Sequence, residues 1–334
     1  MDPLSQGVIG ASMAQLAVKN KRYLTSAIII GFLSGMAPDL DVFIRSDQDP
    51  LLFLEYHRQF SHSLVFIPIG GLICATILFF IFRLKKTLSF KQVWVYATLG
   101  YATHGLLDSC TSYGTLLFWP FSYERISWNN ISIIDPFFTL PILILILLSI
   151  SLKKILLARI ALIWGLLYLI LGVVQHNYAK EIAKNLASKR GHTIERIQVK
   201  PTIGNLFLWK AIYESDGYFY TDGIGLYPIN KIYEGESIKK LNIDEDFSWL
   251  NKESQQAKDI KRFEWFSSGY IAVSKTNPNQ IIDIRYSMLP NEINGLWGIE
   301  LNKSANKDEH IRYVTNRSLS KNRLEDLWKL LSNK

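Results

Sequence analysis

Six apolar runs within the first 175 residues constrain this chain more than any other feature. A span of the bilayer core takes about 20 apolar residues, and its backbone must be hydrogen-bonded internally. The runs are Leu4 to Val18, Leu24 to Ala37, Leu64 to Phe82, Val93 to Leu107, Phe137 to Leu152 and Ile155 to Val174. The third and sixth are long enough to span. The first, second and fourth are short, so they are expected to be partly re-entrant or shielded by their neighbours. The first run is followed, not preceded, by Lys19, Lys21 and Arg22, the reverse of a cleaved signal segment, so it is expected to be retained.

Charge separates the chain into two solvents. Residues 1 to 175 hold 13 Lys/Arg and 9 Asp/Glu, against 24 and 20 in residues 176 to 334. The net charge of +8 divides as +4 for each part, and no basic block is interleaved with enough aromatics to bind nucleic acid, which is set aside. If each run crosses once, ten of the 13 basic residues of the first part fall on one side, the cytoplasm by the positive-inside rule. The opposite side, non-cytoplasmic, then receives residues 38–63, His104 to Asp108, Glu124, Arg125, Asp135 and everything after Val174. Membrane lipids are the expected partners, and Trp119 and Trp128 read as an interfacial aromatic belt.

That convergence gathers ligand-type side chains. Asp39 and Asp41 follow Pro38, His57 and His62 lie in HRQFSHS, and His104 and Asp108 are four apart on one helix face. Six such groups suit one or two divalent metals. Imidazole with carboxylate favours zinc, manganese or iron over calcium, with zinc preferred here. The two cysteines, Cys74 and Cys110, support neither a disulfide framework nor a thiolate site.

After Gln175 the periodicity changes. Asn177 to Arg190 reads as a polar helix ended by Gly191. Thr193 to Val199, Asn205 to Tyr213 and Tyr218 to Tyr227 then read as strands, with a turn at Ser215 to Gly217. Lys239 to Lys261 is partly helical, and Arg262 to Val273 is an aromatic amphipathic stretch. Gln280 to Met288, Gly295 to Asn302 and His310 to Asn316 are further strands, and Lys321 to Leu331 is a closing helix capped by Ser320. The expected architecture is a multi-span α-helical membrane domain, residues 1–175, followed by a soluble, non-cytoplasmic α+β domain, residues 176–334.

The opening DPLSQ, the PDLD turn, HRQFSHS, THGLLDSCTSYGT, WPFSYERISW and IDPFFTLP together resemble the bacterial inner-membrane proteins of the YdjM-like family, classed as metal-dependent hydrolases. The resemblance covers residues 1 to 175, and the C-terminal half is similar to the extra domain of one branch. It implies an inner-membrane location and hydrolytic chemistry, itself inferred from similarity to zinc-dependent phospholipase C. In other branches a histidine stands where this chain has Gln6, which leaves only a weakly ligating amide oxygen.

The residues themselves suggest metal-assisted hydrolysis of a phosphoester or lipid. Asp39, Asp41, His57, His62, His104 and Asp108 would hold the metal, Glu124 or Asp135 would be the general base, and Arg58 and Arg125 would clamp a phosphate through their guanidinium forks. For Asp135, which precedes Pro136, capping the next helix competes with that role. Two other classes are open: an envelope scaffold with a structural metal, and an ion-binding transporter, against which the absence of an inverted repeat and the one-sided site both argue.

Overall fold

The computed structural model describes residues 1–82, 84, 87–316 and 321–331, with side chains omitted at 321–324. Arg83, Lys85 and Lys86 of the basic cluster and the expected cap Ser320 lie outside the described residues. The helices are α1 (Pro3–Gln15), α2 (Leu24–Met36), α3 (Leu52–Tyr56), α4 (Ile67–Ile81), α5 (Phe90–Ser109), α6 (Pro136–Leu152), α7 (Leu156–Lys189), α8 (Ile243–Asp246), α9 (Gln255–Phe266) and α10 (Lys321–Leu331). The strands are β1 (Arg196–Pro201), β2 (Leu208–Ser215), β3 (Tyr218–Gly225), β4 (Lys231–Tyr233), β5 (Ser237–Lys239), β6 (Ile271–Val273), β7 (Gln280–Asp283), β8 (Trp297–Glu300) and β9 (Arg312–Thr315).

Two compact units result. One comprises Met1–Phe43, Tyr56–Val174 and Ile203–Asn205, the other Ile44–Glu55, Gln175–Thr202 and Leu206–Lys334. Three helical segments of the described chain are long and apolar enough to cross a membrane: Lys21–Phe43, Leu64–Ile81 and Leu156–Lys189. The helical part followed by antiparallel sheets is the expected fold class.

In the first unit the helix termini are set by local chemistry. The Asp2 side chain accepts from the Ser5 backbone N–H with Pro3 in the first turn, and Ser89 and Gln92 form a capping box on α5. Asp135 caps α6 ahead of Pro136. Pro141 inside α6 lacks the N–H that would reach the Phe137 carbonyl, and Trp164 Nε1 donates to that carbonyl instead, at 3.2 Å. α1 is enclosed rather than lipid-facing: Val8, Ile9, Ala11 and Ala14 are buried, together with the polar Ser5, Gln6, Ser12 and Gln15. Small residues permit this. A Cβ at Gly100 of α5 would strike the Gly31 backbone of α2, and one at Gly10 of α1 would lie 3.0 Å from Gly35 Cα.

The last apolar run and the polar helix after it are not separate elements, because α7 is continuous for 34 residues. No glycine or proline interrupts Gln175 to Tyr178, so the helix persists where its surface changes from apolar to charged, and Gly191 with φ of 74° follows its end.

The second unit holds two antiparallel sheets. One has the order β1-β2-β3-β4 with β5 also pairing β3; the other has the order β6-β7-β8-β9. Ile212, Phe219 and Ile238 of the first share a core with Ala272 and Ile282 from the second and with Ile284 just past β7. Its interior also holds charge. Lys200 and Lys210 are cross-strand partners, both buried. Burial pushes the Lys210 ammonium down to about 7. Burial, with Lys210 and Arg285 nearby, pulls Lys200 well below its usual range. Lys210 Nζ donates to Ser287 Oγ and the Glu292 carbonyl, each at 2.6 Å.

Candidate metal centre

Three short segments of the first unit supply the centre. A 3-10 turn over Ala37–Phe43 continues α2 and carries Asp39 and Asp41; another over Phe60–His62 carries His62; and the last turns of α5 carry His104 and Asp108. On α5 the i, i+4 spacing puts imidazole and carboxylate on one face, as the sequence suggests. Gly105 lies between them, and a Cβ there would strike the His62 carbonyl, so its small size lets the His62 segment lie against α5.

One ligand atom each from Asp39, His62, His104 and Asp108 falls within 4.8 Å of every other. The two Nε2 atoms are 2.9 Å apart. Asp39 Oδ1 lies 3.4 Å from both, and Asp108 Oδ2 lies 3.4 Å from His62 Nε2 and 3.9 Å from His104 Nε2. A tetrahedral zinc site with nitrogen and oxygen donors at 2.0–2.1 Å has ligand–ligand edges of about 3.3 Å. The five edges that involve an imidazole, 2.9–3.9 Å, bracket that figure.

The tautomers follow from the partners. His104 Nδ1 lies 2.6 Å from the Gly35 carbonyl, which only accepts, so Nδ1 carries the hydrogen. Ser61 Oγ donates to Asp41 Oδ2 at 2.6 Å and turns a lone pair toward His62 Nδ1, 3.0 Å away, while Asp41 Oδ2 lies 3.1 Å from the same nitrogen. His62 Nδ1 is therefore also the protonated nitrogen. The two Nε2 atoms then face each other beside two carboxylates, and either a proton held between the rings or a metal ion among the four groups relieves their repulsion. Outer N–H groups held by a carboxylate and a backbone carbonyl are what metal-bound imidazoles require. The buried Gln6 Oε1 and Asp108 Oδ2 make no hydrogen bond, although Asp108 Oδ2 lies 3.0 Å from Arg58 Nε. The donor set fits a divalent metal.

Around the four lies a second layer. Asp41, buried, accepts from the Arg58 backbone N–H at 3.0 Å and from Ser61, and lies 2.6 Å from His57 Nδ1 through Oδ1. His57 is thus one step removed from the cluster: its ring meets His62 edge-on at 5.8 Å, and its side chain is 30% exposed. Asp108 Oδ1 accepts from Gln6 Nε2 at 2.9 Å and from the Met1 amino group. Arg58 Nε is 3.0 Å from Asp108 Oδ2, an ion pair too misaligned for a hydrogen bond. Arg58 Nη1 donates to Thr111 Oγ1 at 3.2 Å, and the guanidinium lies over the Tyr113 ring. Arg58 adopts φ of 66°, in the left-handed region, at the point where its N–H is handed to Asp41.

Of the other residues singled out from sequence, Arg125 and Asp135 are engaged elsewhere. Arg125 Nη2 donates to the Gly114 carbonyl at 2.9 Å. Asp135 accepts from the Phe137 and Phe138 N–H groups and from the Tyr168 hydroxyl, so it is the helix cap that sequence offered as the competing role. Glu124 is exposed. Neither carboxylate is among the four clustered donors. Sequence reasoning missed Ser61 and the Gly35 carbonyl, whose positions next to His62 and at the end of α2 carry no ligand signature.

A model of the family described as YdjM inner membrane protein matches residues 1–179. The uncharacterized protein YfhP of Bacillus subtilis (strain 168) is 26% identical over 143 residues, covering 41% of this chain and 42% of that protein. The inner membrane protein YbcI of Escherichia coli (strain K12) is 33% identical over 100 residues, covering 29% of this chain and 56% of that protein. The chain thus spans about half the length of the curated relatives it matches. No solved structure matches it.

Proposed function

The chain belongs to the YdjM inner membrane protein family, and from that premise we propose that it is a metal-dependent hydrolase of the inner membrane, acting on a phosphoester, in particular a lipid. The observation that carries this reading is the gathering of one ligand atom each from Asp39, His62, His104 and Asp108 within 4.8 Å of one another, the two Nε2 atoms 2.9 Å apart. Asp39, His62, His104 and Asp108 would hold the ion, with zinc suited to the edge lengths and manganese or iron to the donor types. When bound, the ion supplies Lewis acidity toward water and the scissile bond.

The chain's own residues do the rest. Asp41 fixes His57 with its hydrogen on Nδ1, leaving Nε2 to accept a proton from attacking water and return it to the leaving group. His57 in this role replaces the Glu124 and Asp135 expected from sequence. Arg58 holds Asp108 rather than a substrate phosphate. Asp39 is the accessible member of the cluster, its side chain 23% exposed. Leu40 and Phe43 on the same 3-10 turn are 62% and 76% exposed, so an approaching molecule meets apolar surface beside the carboxylate, which favours an amphiphile. The positive-inside count supports a non-cytoplasmic location for the centre and for residues 176–334.

The test is hydrolysis of a soluble phosphodiester and of phospholipid in mixed micelles by the full chain, with zinc, manganese or iron added. Turnover that a chelator abolishes, and that His57→Gln lowers roughly 10²–10⁴-fold at unchanged metal content, is expected. Activity that persists in chelator contradicts the reading. The presence of four protein donors, a full set for a closed structural site, favours a second reading, a structural metal in an envelope scaffold. That reading requires bound metal without a solvent-accessible coordination position.

A further inference from the structure

We propose that Arg262 is a positioning residue for the metal centre, acting through the segment Ile44–Glu55. The inference rests on reading the Asp39, His62, His104 and Asp108 cluster as a metal site. Residues 42–56 form a loop closed at its neck by groups of that centre: His57 Nδ1 lies 2.6 Å from Asp41 Oδ1, and the Arg58 N–H reaches Asp41 Oδ2 at 3.0 Å. The same Asp41 holds His62. Any movement of the loop's two ends is therefore movement of Asp41 against His57 and His62.

The body of the loop belongs to the second unit. Arg262 on α9 grips Asp49 with both fork nitrogens, Nη1 to Oδ1 at 2.9 Å and Nη2 to Oδ2 at 2.7 Å, and donates from Nε to Glu55 at 2.5 Å. Arg262 is itself held by Asp259, fully buried, at 3.0 Å. The same carboxylate binds His310 Nδ1 at 2.8 Å and the Ile311 N–H at 3.2 Å. Bidentate, partly buried guanidinium–carboxylate contacts fix direction as well as distance. Leu51 and Leu54 are buried and Phe53 meets Tyr313 edge-on at 5.2 Å, so the segment is packed as well as paired.

Glu55 is two residues from His57, and Ile44 is three from Asp41. Arg262 holds the loop at Asp49, in its middle, and at Glu55, close to the His57 side of the neck. Without it the loop keeps only the packing of Leu51, Phe53 and Leu54 and a few hydrogen bonds of its own, and the neck takes up more of its motion. The C-terminal part of the chain thereby gains a means to set the metal site through one covalently continuous segment.

The experiment uses the full chain in detergent with cobalt(II) as probe. Affinity is read from ligand-field absorbance, and local opening from hydrogen exchange at residues 38–43 and 56–63. Arg262→Ala is expected to weaken cobalt binding roughly 10-fold, in the range set by outer-sphere partners, and to speed exchange at both neck segments while α4 and α5 keep wild-type protection. Arg262→Asp should do the same, and combining it with Asp49→Arg should restore both readouts in part, which a general loss of stability would not. Faster exchange confined to residues 44–55, with the neck and cobalt affinity unchanged, overturns the proposal. Should Arg262→Ala loosen the whole second unit, Asp49→Ala, which leaves Arg262 on Glu55 and Asp259, decides by the same readouts. A wild-type chain that takes up no cobalt defeats the metal reading, and exchange at the neck then judges the positioning role separately.

Discussion

His62 Nε2 and His104 Nε2 face each other at 2.9 Å while the Nδ1 atoms of both rings are committed to oxygen acceptors. With Asp39 and Asp108 beside them, the two nitrogens complete a donor cluster that could hold a metal ion. Adding zinc at about 100 times its dissociation constant should stabilise the folded chain by about 2.7 kcal/mol. The corresponding rise in thermal midpoint should vanish in His62→Ala and in His104→Ala, as thermal scans with and without zinc would show.

Asp41 touches the centre only through other residues. Asp41→Asn keeps the shape but weakens acceptance from His62 Nδ1 and His57 Nδ1. Zinc affinity measured against a competing chelator should fall roughly 10–100-fold. An unchanged affinity would show that the outer hydrogen bonds do not set the orientation of the ring.

Gly105 is required for space. Its missing Cβ is where the His62 carbonyl lies. Gly105→Ala must push the His62 segment off α5 at a cost of about 1–3 kcal/mol, and metal content after purification should drop although no ligand is altered. Gly191→Ala, at a position with no atom within 4 Å, is the comparison: it strains the backbone at φ of 74° but should leave metal content unchanged.

In the second unit, the Lys210 ammonium titrates near 7 when folded and near 10.4 when unfolded. Between those values the unfolded chain holds a proton that the folded one lacks, so stability rises with pH over that window; below about 7 the cost of burying the charge applies in full. Lys210→Met removes the titration. Denaturant unfolding of the full chain from pH 6 to 10 should show a flatter profile for the variant, with its largest relative gain at the acidic end. An unchanged slope would exclude Lys210 as its source.

Much of this was legible in the sequence because it is written in spacing. The His104 to Asp108 interval fixes one helix face, and PDLD places two carboxylates at the end of an apolar run. Antiparallel strands after Gln175 follow from their aromatic and β-branched residues. The division of labour among six ligand types was not legible. Whether Asp41 and His57 ligate or support depends on where the 3-10 turns aim their side chains, and a period of 3.6 or 2 does not report that. The continuity of α7 was hidden because composition changes at Gln175 while backbone preference does not. The role of Arg262 was invisible, since Asp49 lies 213 positions away.

Metal content tests the central claim most directly. Full-length protein purified in detergent, loaded and then dialysed, should retain about one zinc, manganese or iron per chain by elemental analysis, and the Asp39→Ala, His104→Ala double variant should retain none while keeping its helical circular dichroism. Equal metal in both, or none in either after loading, would contradict the account.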